Sequence, residues 1–209
     1  MEIELPGFDK KGDLSVEEAL LKRRSCRHFI PDPIDLDGVS QLLWAANGFR
    51  GDDERFRTAP SAGKTHPIFL YLVAGEKGVR DLDAGVYRYI PASHRLELVL
   101  EGDVRRDLVE ASLKQAFIAV APASIVITAA YERTTKKYSD RGVRYVHFEV
   151  GHVSENIHLQ VLPLGLETVA VGSFDDYEVS KCLNLPDMHS PLYIMPVGYP
   201  KREVKNEGK

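Results

Sequence analysis

The sequence predicts an α+β fold in a single domain covering residues 1–209, with a mainly antiparallel or mixed sheet flanked by helices. Three observations lead to this prediction. A chain of 209 residues is long enough for one sizeable core but short for two compact domains. Strand-like stretches at 85–90 and 94–100 form a predicted hairpin, which interrupts any regular alternation of strand and helix. The glycine fingerprint G-x-G-x-x-G of a Rossmann fold is absent.

The first two helices are predicted from their capping residues and their periodicity. Ser15 followed by Glu18 has the spacing of a capping box, so a helix should start there and run to about residue 24. A second helix should begin near Asp35, because apolar residues recur at helical spacing after it. The helix should run to Gly48, which is placed to be its C′ residue.

The remaining elements follow from apolar patterning and from turn residues. Strands are predicted at 68–74, 85–90, 94–100, 124–131, 167–171 and 192–197. Helices are predicted at 103–120, 143–164 and 175–184, and loops at 49–67 and 134–142. The longest helical pattern contains Val146, Val150 and Val153, which recur at steps of four and three.

Composition and charge argue against several classes of protein. The formal net charge is -4, from 27 basic and 31 acidic residues, whereas a domain built to bind DNA or RNA is usually basic. Cys26 and Cys182 are the only cysteines and lie far apart, which argues against a disulfide scaffold and a cysteine zinc site. No apolar stretch reaches the roughly 18 residues of a membrane span. The sequence therefore predicts a cytoplasmic protein with no nucleic-acid or membrane partner.

A basic segment lies where the first helix should end. Residues 22–28 hold four Lys and Arg side chains and the hydroxyl of Ser25. Read alone, such a run is a solvated helix terminus whose positive charge suits the helix dipole. The alternative is an anion site, because arginine forks pair with phosphate oxygens through two hydrogen bonds.

A second unusual stretch, residues 57–64, is rich in small and turn-forming residues. It could be a plain surface loop. A run of small residues also allows the backbone to approach a flat ligand closely, so that its N–H groups can meet ring heteroatoms. The apolar strand that follows would hold such a loop firmly beside the core.

Taken with these segments, the chain resembles the nitroreductase family of flavoproteins. The resemblance rests on KRRSCRHF, on APSAGKTHP and on RYVHFEVGHVSENIHLQVLPLGLETVAVGSFDD, and extends from about residue 14 to residue 202. It is closest to the branch that contains the thiazole- and oxazole-forming (azoline) dehydrogenases. The resemblance implies a nitroreductase-like sandwich that works as an intertwined homodimer, with FMN in each of two sites at the subunit interface.

The resemblance also implies which residues bind FMN. Arg23, Arg24 and Ser25 match positions that hold the phosphate and ribityl chain, and Arg27 matches a basic position near the pyrimidine edge of the ring. The other expected contacts are Pro60, Ser61, Ala62 and Gly63 in a loop from the partner subunit, Gln115 at the pyrimidine edge, Val171, Gly172 and Ser173 near N5, and Lys201 or Arg202 at the phosphate.

The implied activity is ping-pong transfer from NADH or NADPH through FMN to a small conjugated acceptor of the nitroaromatic or quinone type. Because the flavin performs the chemistry, no catalytic side chain is assigned. One alternative is an azoline dehydrogenase of modified peptides, in which Lys137 and Tyr138 remove the substrate proton. Two others are a non-catalytic flavin-binding module and an anion- or nucleic-acid-binding domain that uses the arginines.

Three histidines on the longest predicted helix raise the question of a metal site. His147 and His152 are five residues apart, not four, so they project from a helix in different directions. No HExxH pattern is present. These histidines and His158 are therefore predicted to be structural, and no metal is expected.

Overall fold

A computed structural model describes residues 1–51 and 56–201 of the chain. The strands are β1 Glu2–Glu4, β2 Ile68–Ala74, β3 Gly85–Ile90, β4 Arg95–Glu101, β5 Ala123–Ala129, β6 Glu167–Thr168 and β7 Ser190–Gly198. The helices are α1 Val16–Lys22, α2 Leu36–Asn47, α3 Arg105–Ala111, α4 Phe117–Val120, α5 Glu132–Tyr138, α6 Arg141–Gln160 and α7 Asp176–Cys182. The strands form one sheet in the order β1-β4-β3-β2-β5-β7-β6, and each neighbouring pair is antiparallel.

Helices cover both faces of this sheet, as the α+β prediction requires. Side chains alternate along a strand, so the two faces of β2 enter different clusters. Leu70 and Leu72 pack in the cluster that contains the apolar residues of α2 and α6. Tyr71 and Val73 pack in a second cluster with residues of α3 and α7. Because both faces are buried, β2 is a nearly continuous apolar run.

The long helix α6 owes its position to its apolar stripe. Val146, Val150, Val153 and Ile157 are buried together against the sheet and α2. This spacing of three and four residues places them on one side of a helix. Within the described part of the chain, no helix is long and apolar enough to cross a membrane.

The start of α1 confirms the capping prediction, because the Ser15 hydroxyl accepts a hydrogen bond from the Glu18 amide. The helix ends at Lys22, two residues before the predicted end. The helix α2 ends at Asn47 and Gly48 is its C-cap residue, one position before the predicted C′ position, with a φ of -77°. Glycine fits there for a packing reason, because a Cβ would lie 2.5 Å from Cδ1 of Trp44.

Two other element predictions were wrong. The single helix predicted at 103–120 is two helices, α3 and α4, because Leu113 and Lys114 adopt positive φ angles and turn the chain between them. The loop predicted at 134–142 is mostly helix, since α5 extends to Tyr138 and α6 begins at Arg141. The polar sequence ERTTKKY carries little apolar periodicity, so it gave no helical signal.

The predicted strand at 167–171 is also shorter in the structure. Only Glu167 and Thr168 pair as β6, and Val171 pairs separately with Ile194 of β7. The edge strand β1 was not predicted, because three residues are too few for an alternating pattern to be recognised.

Candidate functional site

The segment that follows α1 is extended and lies beside β6. The Cys26 amide donates to the Thr168 carbonyl at 2.9 Å, and Ser25 pairs with Thr168 in a parallel bridge. Cys26 is buried, while Ser25 and Arg27 on either side of it are exposed. The backbone pairing therefore fixes the segment and presents its hydroxyl and guanidinium groups to solvent.

Arg24 is held by the carboxylate of Glu167, the first residue of β6. Its Nε lies 3.0 and 3.1 Å from the two carboxylate oxygens of Glu167, and its Nη2 lies 3.0 Å from Oε1. The hydrogen bonds and the charge of Glu167 raise the pKa of Arg24. Because the Arg24 side chain is 65% exposed, this pair adds little to the free energy of unfolding. Its effect is to orient the guanidinium group.

The C-terminal part of the described chain pairs with the same segment. The Lys201 amide donates to the His28 carbonyl at 2.8 Å, and the Ile30 amide donates to the Tyr199 carbonyl at 3.0 Å. Lys201 therefore lies next to the basic segment, although the two are distant in sequence. Arg202, the other predicted phosphate contact, lies outside the described residues.

Gln115 and Ser173, predicted to contact the flavin ring, lie against each other. The Gln115 side-chain Nε2 donates to the Ser173 carbonyl at 2.9 Å and to the Ser112 carbonyl at 3.0 Å. Both of its N–H groups are thereby used, which leaves the amide oxygen to accept a hydrogen bond from a ligand. The guanidinium carbon of Arg27 lies 6.0 Å from the ring centre of Phe117, two residues after Gln115.

The segment 171–173 has fewer free backbone N–H groups for a ligand than the resemblance implied. Val171 is buried, and its amide donates to the Ile194 carbonyl at 2.9 Å, so that N–H is not available to a ligand. Gly172 and Ser173 follow it and are exposed. A Cβ on Gly172 would lie 3.2 Å from Cε1 of Tyr193. Packing within the protein therefore favours glycine at this position, whether or not a ligand is bound.

The loop of residues 60–63 contacts α5 and α6, whereas the residues described above lie near β6 and β7. The Nδ1 atom of His152 lies 3.3 Å from the Pro60 carbonyl oxygen. The Ser61 hydroxyl accepts from the His66 amide at 2.9 Å. Gly63 has a positive φ of 58° and is the middle residue of a short 3-10 turn, Ala62–Lys64. The backbone of this 60–63 loop is thus held at several points.

Lys137 and Tyr138 lie against Gly63. The Lys137 Nζ donates to the Gly63 carbonyl at 3.2 Å. A Cβ on Gly63 would lie 2.3 Å from the Tyr138 hydroxyl oxygen and 2.6 Å from the Lys137 Nζ. The structure therefore places this pair at the 60–63 loop, on the last turn of a helix and not in a solvated loop.

Glu149 is a site residue that was not predicted. It lies on α6, is 2% exposed, and lines a cavity together with Ser61. Burial raises its pKa to about 7, against the opposing effects of Ser61, Arg57 and Arg133. A signal was present in the sequence, because an acidic residue three places after Val146 falls on the apolar stripe of a helix.

The two other histidines of the helix differ in their surroundings, and the Nδ1 atom of His158 has no hydrogen-bond partner among the described residues. His147 lies 2.7 Å from the Tyr131 hydroxyl, and His158 is buried, which lowers its pKa. Among residues 1–51 and 56–201, no group of three His, Cys, Asp or Glu is placed to hold a metal ion.

The predicted residues therefore form two sets. The first, which we call the cluster set, lies on segments that pair with or contact one another after α1, before α4 and after β6 and β7, and contains Arg23, Arg24, Ser25, Arg27, Gln115, Gly172, Ser173 and Lys201. The second is the 60–63 loop, held by α5 and α6. The contacts described above join residues within each set.

Comparison with known proteins gives one consistent result. A family model described as the nitroreductase family matches residues 20–199. A relative from Methanocaldococcus jannaschii, named among the nitroreductases, is 44% identical over 95% of this chain and 96% of its own length. The trifolitoxin-processing protein TfxB of Rhizobium leguminosarum is 29% identical over 75% of this chain, but over only 44% of its own length.

Solved structures agree with the fold. A crystal structure from Ralstonia eutropha, named as a nitroreductase, has a TM-score of 0.84 and 27% identity, and covers 97% of this chain and 90% of that chain. The Escherichia coli microcin synthetase McbBCD complex contains a chain with a TM-score of 0.74 and 23% identity, covering 94% of this chain and 77% of that chain. The predicted nitroreductase-like α+β fold is thereby confirmed.

Proposed function

The chain belongs to the nitroreductase family, and we propose that it is an FMN-dependent oxidoreductase that takes electrons from NADH or NADPH. Its acceptor would be a small conjugated molecule of the nitroaromatic or quinone type. The family and its relatives support a flavin oxidoreductase in general terms. The cofactor, the electron donor and the assignment of the whole chain to one FMN-binding domain are part of the proposal.

The observation that carries this proposal is the convergence of the cluster set. Arg27, Gln115, Ser173 and Lys201 come from separate parts of the chain, and backbone pairing and side-chain contacts bring their segments together. If residues 22–28 were only a solvated helix terminus, their cations would not need Gln115, Ser173 and Lys201 beside them. A set of cations, a hydroxyl and an amide oxygen is the donor and acceptor set that a ligand with a phosphate and a heterocyclic ring requires.

At the phosphate end, Arg23, Ser25 and Lys201 would bind the phosphate oxygens. Arg24 would add a guanidinium group whose direction is fixed by Glu167. Arginine is suited to this task because its fork of N–H groups matches two phosphate oxygens at once. The same Glu167 carboxylate offsets one positive charge, so the dianionic phosphate would be balanced without a large surplus of cations.

At the ring end, the Gln115 oxygen would accept from a flavin N–H, while Arg27 would place a positive charge near the pyrimidine edge. Such a charge stabilises the anionic reduced form of a flavin and raises its reduction potential. When bound, FMN would supply the hydride and electron transfer between nicotinamide and acceptor. Gly172 and Ser173 would offer their backbone N–H groups beside it.

The 60–63 loop would serve the second subunit of a homodimer. Its fixed contacts lie with α5 and α6, so we propose that it completes the flavin site of a partner chain. Two large apolar side chains on α6 remain exposed in the single chain, since Phe148 is 55% exposed and Val143 is 40% exposed. Exposed apolar residues of this kind are typical of a surface that another chain covers.

A second candidate function, azoline dehydrogenation, is favoured by the position of Lys137 and Tyr138. Both lie against Gly63, in the loop proposed to face the flavin. In its neutral form, a lysine beside a bound substrate can act as the base that accepts the substrate proton. Relatives named for trifolitoxin processing and for microcin B17 processing fit this alternative, although this chain spans 44% and 48% of their lengths.

The decisive test is the visible absorbance spectrum of the purified protein, followed by anaerobic addition of NADH or NADPH. We expect a flavin spectrum that reduced nicotinamide bleaches and that a quinone or nitroaromatic restores. A colourless protein that cannot be reconstituted with FMN would refute the proposal. A bound flavin that neither nicotinamide bleaches would instead indicate a non-catalytic module or a different reductant.

A further inference from the structure

A buried carboxyl group lies directly beneath the 60–63 loop. Glu149 is 2% exposed on α6, and its Oε1 atom has no hydrogen-bond partner among the described residues. A cavity of about 290 Å³ lies between the loop and α6, and Glu149, His152, Tyr145 and Phe148 line its helix side. A buried carboxyl with an unsatisfied oxygen is costly, so its position calls for an explanation.

Glu149 is joined to the loop through one residue. Ser61 and Glu149 line the same cavity and the Ser61 side chain favours the ionised carboxyl, while the Ser61 hydroxyl accepts a hydrogen bond from the His66 amide. The flanking Pro60 carbonyl is held by His152, and the Gly63 carbonyl by Lys137. Of these contacts, the one to Glu149 is made by a buried group whose charge can change.

Charged and polar groups from several segments lie near Glu149. They are Arg57 from the chain before the loop, Ser61 within the loop, Arg133 from α5, and Tyr145 and His152 from α6. The two guanidinium groups favour the ionised carboxylate and the hydroxyl of Ser61 does the same, but burial outweighs them. The packed arrangement of the loop on α6 therefore favours the neutral form.

We propose that Glu149 is a positioning residue for the 60–63 loop: the neutral carboxyl holds the loop packed on α6, and ionisation releases it. By linkage, a conformation that excludes water from the carboxyl binds the proton more tightly, so proton loss favours a conformation in which water reaches the carboxylate. The cavity beside Glu149 gives water a place to enter. The consequence for FMN binding rests on the function proposed above.

The first test needs no flavin. Hydrogen exchange of the apoprotein is measured at pH 6 and pH 8.5, corrected for the intrinsic effect of pH, in wild type, Glu149→Gln and Glu110→Gln. Glu110 is an exposed α3 residue and serves as the matched control. We expect the amides around residues 60–66 to lose protection at pH 8.5 in wild type and in Glu110→Gln, but not in Glu149→Gln. Equal protection at both pH values in wild type would overturn the proposal.

A second test detects the proton itself. The C=O stretch of a protonated buried carboxylic acid should appear in the infrared spectrum of the wild type. It should titrate with a midpoint near the pKa of about 7 and be missing from Glu149→Gln. A band that has already gone at pH 5.5 would show an ionised carboxyl throughout, and the proposal would fail.

The third test links the loop to flavin affinity. The Kd for FMN is measured by fluorescence quenching in wild type and in Glu149→Gln. Dividing the wild-type Kd by the Kd of the variant at each pH removes the effect of the titration of the FMN phosphate. We expect this ratio to rise between about threefold and tenfold from pH 6 to pH 8.5. A constant ratio with normal FMN binding would contradict the inference alone, whereas no FMN binding at any pH would contradict the proposed function and leave the exchange test to decide the inference.

Discussion

The Nζ atom of Lys137 lies 3.2 Å from the carbonyl oxygen of Gly63, so the last turn of α5 contacts the 60–63 loop directly. This relationship explains why the loop carries glycine at that position. With φ at 58° and two side-chain atoms within 2.6 Å of where a Cβ would stand, any other residue must displace Lys137 or Tyr138.

Substituting Gly63→Ala should therefore destabilise the protein and weaken FMN binding. The positive φ and the displaced neighbours should together lower the free energy of unfolding by about 1–3 kcal/mol. Chemical denaturation and FMN titration measure the two effects. Gly12→Ala is the control, because a Cβ there meets nothing within 4 Å. Equal stability of the Gly63→Ala variant and wild type would contradict the described loop geometry.

Within the cluster set, we expect Arg27 to act at the flavin ring and Arg23 at the phosphate. Arg27→Ala should lower the flavin reduction potential and slow turnover, because it removes a positive charge beside the ring. Spectroelectrochemistry of the bound flavin measures this directly, and Arg27→Lys should retain most of the potential. If Arg27→Ala left the potential unchanged, Arg27 would have no role at the ring.

Arg23→Ala should mainly weaken FMN binding. Loss of one charged phosphate contact typically costs about 1.5–3 kcal/mol of binding free energy. The affinity for riboflavin, which has no phosphate, should change little. A loss of affinity that is equal for FMN and riboflavin would place Arg23 away from the phosphate.

Lys137 and Tyr138 discriminate between the two candidate functions. Lys137→Met and Tyr138→Phe should leave the reduction of a quinone by NADH or NADPH within a few-fold of wild type. If the chain oxidises azoline rings, the same variants should lose about 100-fold or more of that activity, because proton removal is typically worth this much. Loss of the quinone reaction in both variants would show that the pair is needed for the loop itself.

The stability of the wild type should fall between neutral pH and about pH 4 because of His189. This side chain is buried, donates to or accepts from the Tyr71 hydroxyl at 2.6 Å, and stacks on Phe69. Burial lowers its pKa to about 4. Since the unfolded chain binds the proton more tightly, the stabilisation is present above about pH 6.5 and is lost as the pH falls toward 4. His189→Gln should reduce the slope of unfolding free energy against pH in that window, and an unchanged slope would contradict the assignment.

Much of the fold followed from the sequence, for reasons visible in particular residues. The apolar stripe of α6 and the buried run of β2 depend on local periodicity, and both appear as predicted. The turn at Leu113 and Lys114 could not be predicted, because neither residue type favours positive φ and tertiary packing imposes it. The helix α5 was missed because its sequence is polar almost throughout.

The candidate site was predictable only where spaced motifs agreed. The resemblance selected Arg23 to Arg27 and Pro60 to Gly63, but it gave no reason to expect the Glu167 carboxylate on Arg24. It also did not show that the Val171 amide is taken by Ile194. Both are long-range contacts, which a single sequence does not reveal. The homodimer and the site assignments remain predictions.

The pairing of Lys201 with His28 has a consequence for the time at which the cofactor can be acquired. A ribosome makes the arginines before it makes β7 and residues 199–201, which pair with His28 and Ile30, because synthesis proceeds from the N-terminus. A nascent chain that ends before β7 has neither residues 199–201 nor the Ile194 carbonyl that fixes Val171. FMN loading should therefore follow synthesis of residues 190–201, and chains stalled before β7 should be released without flavin.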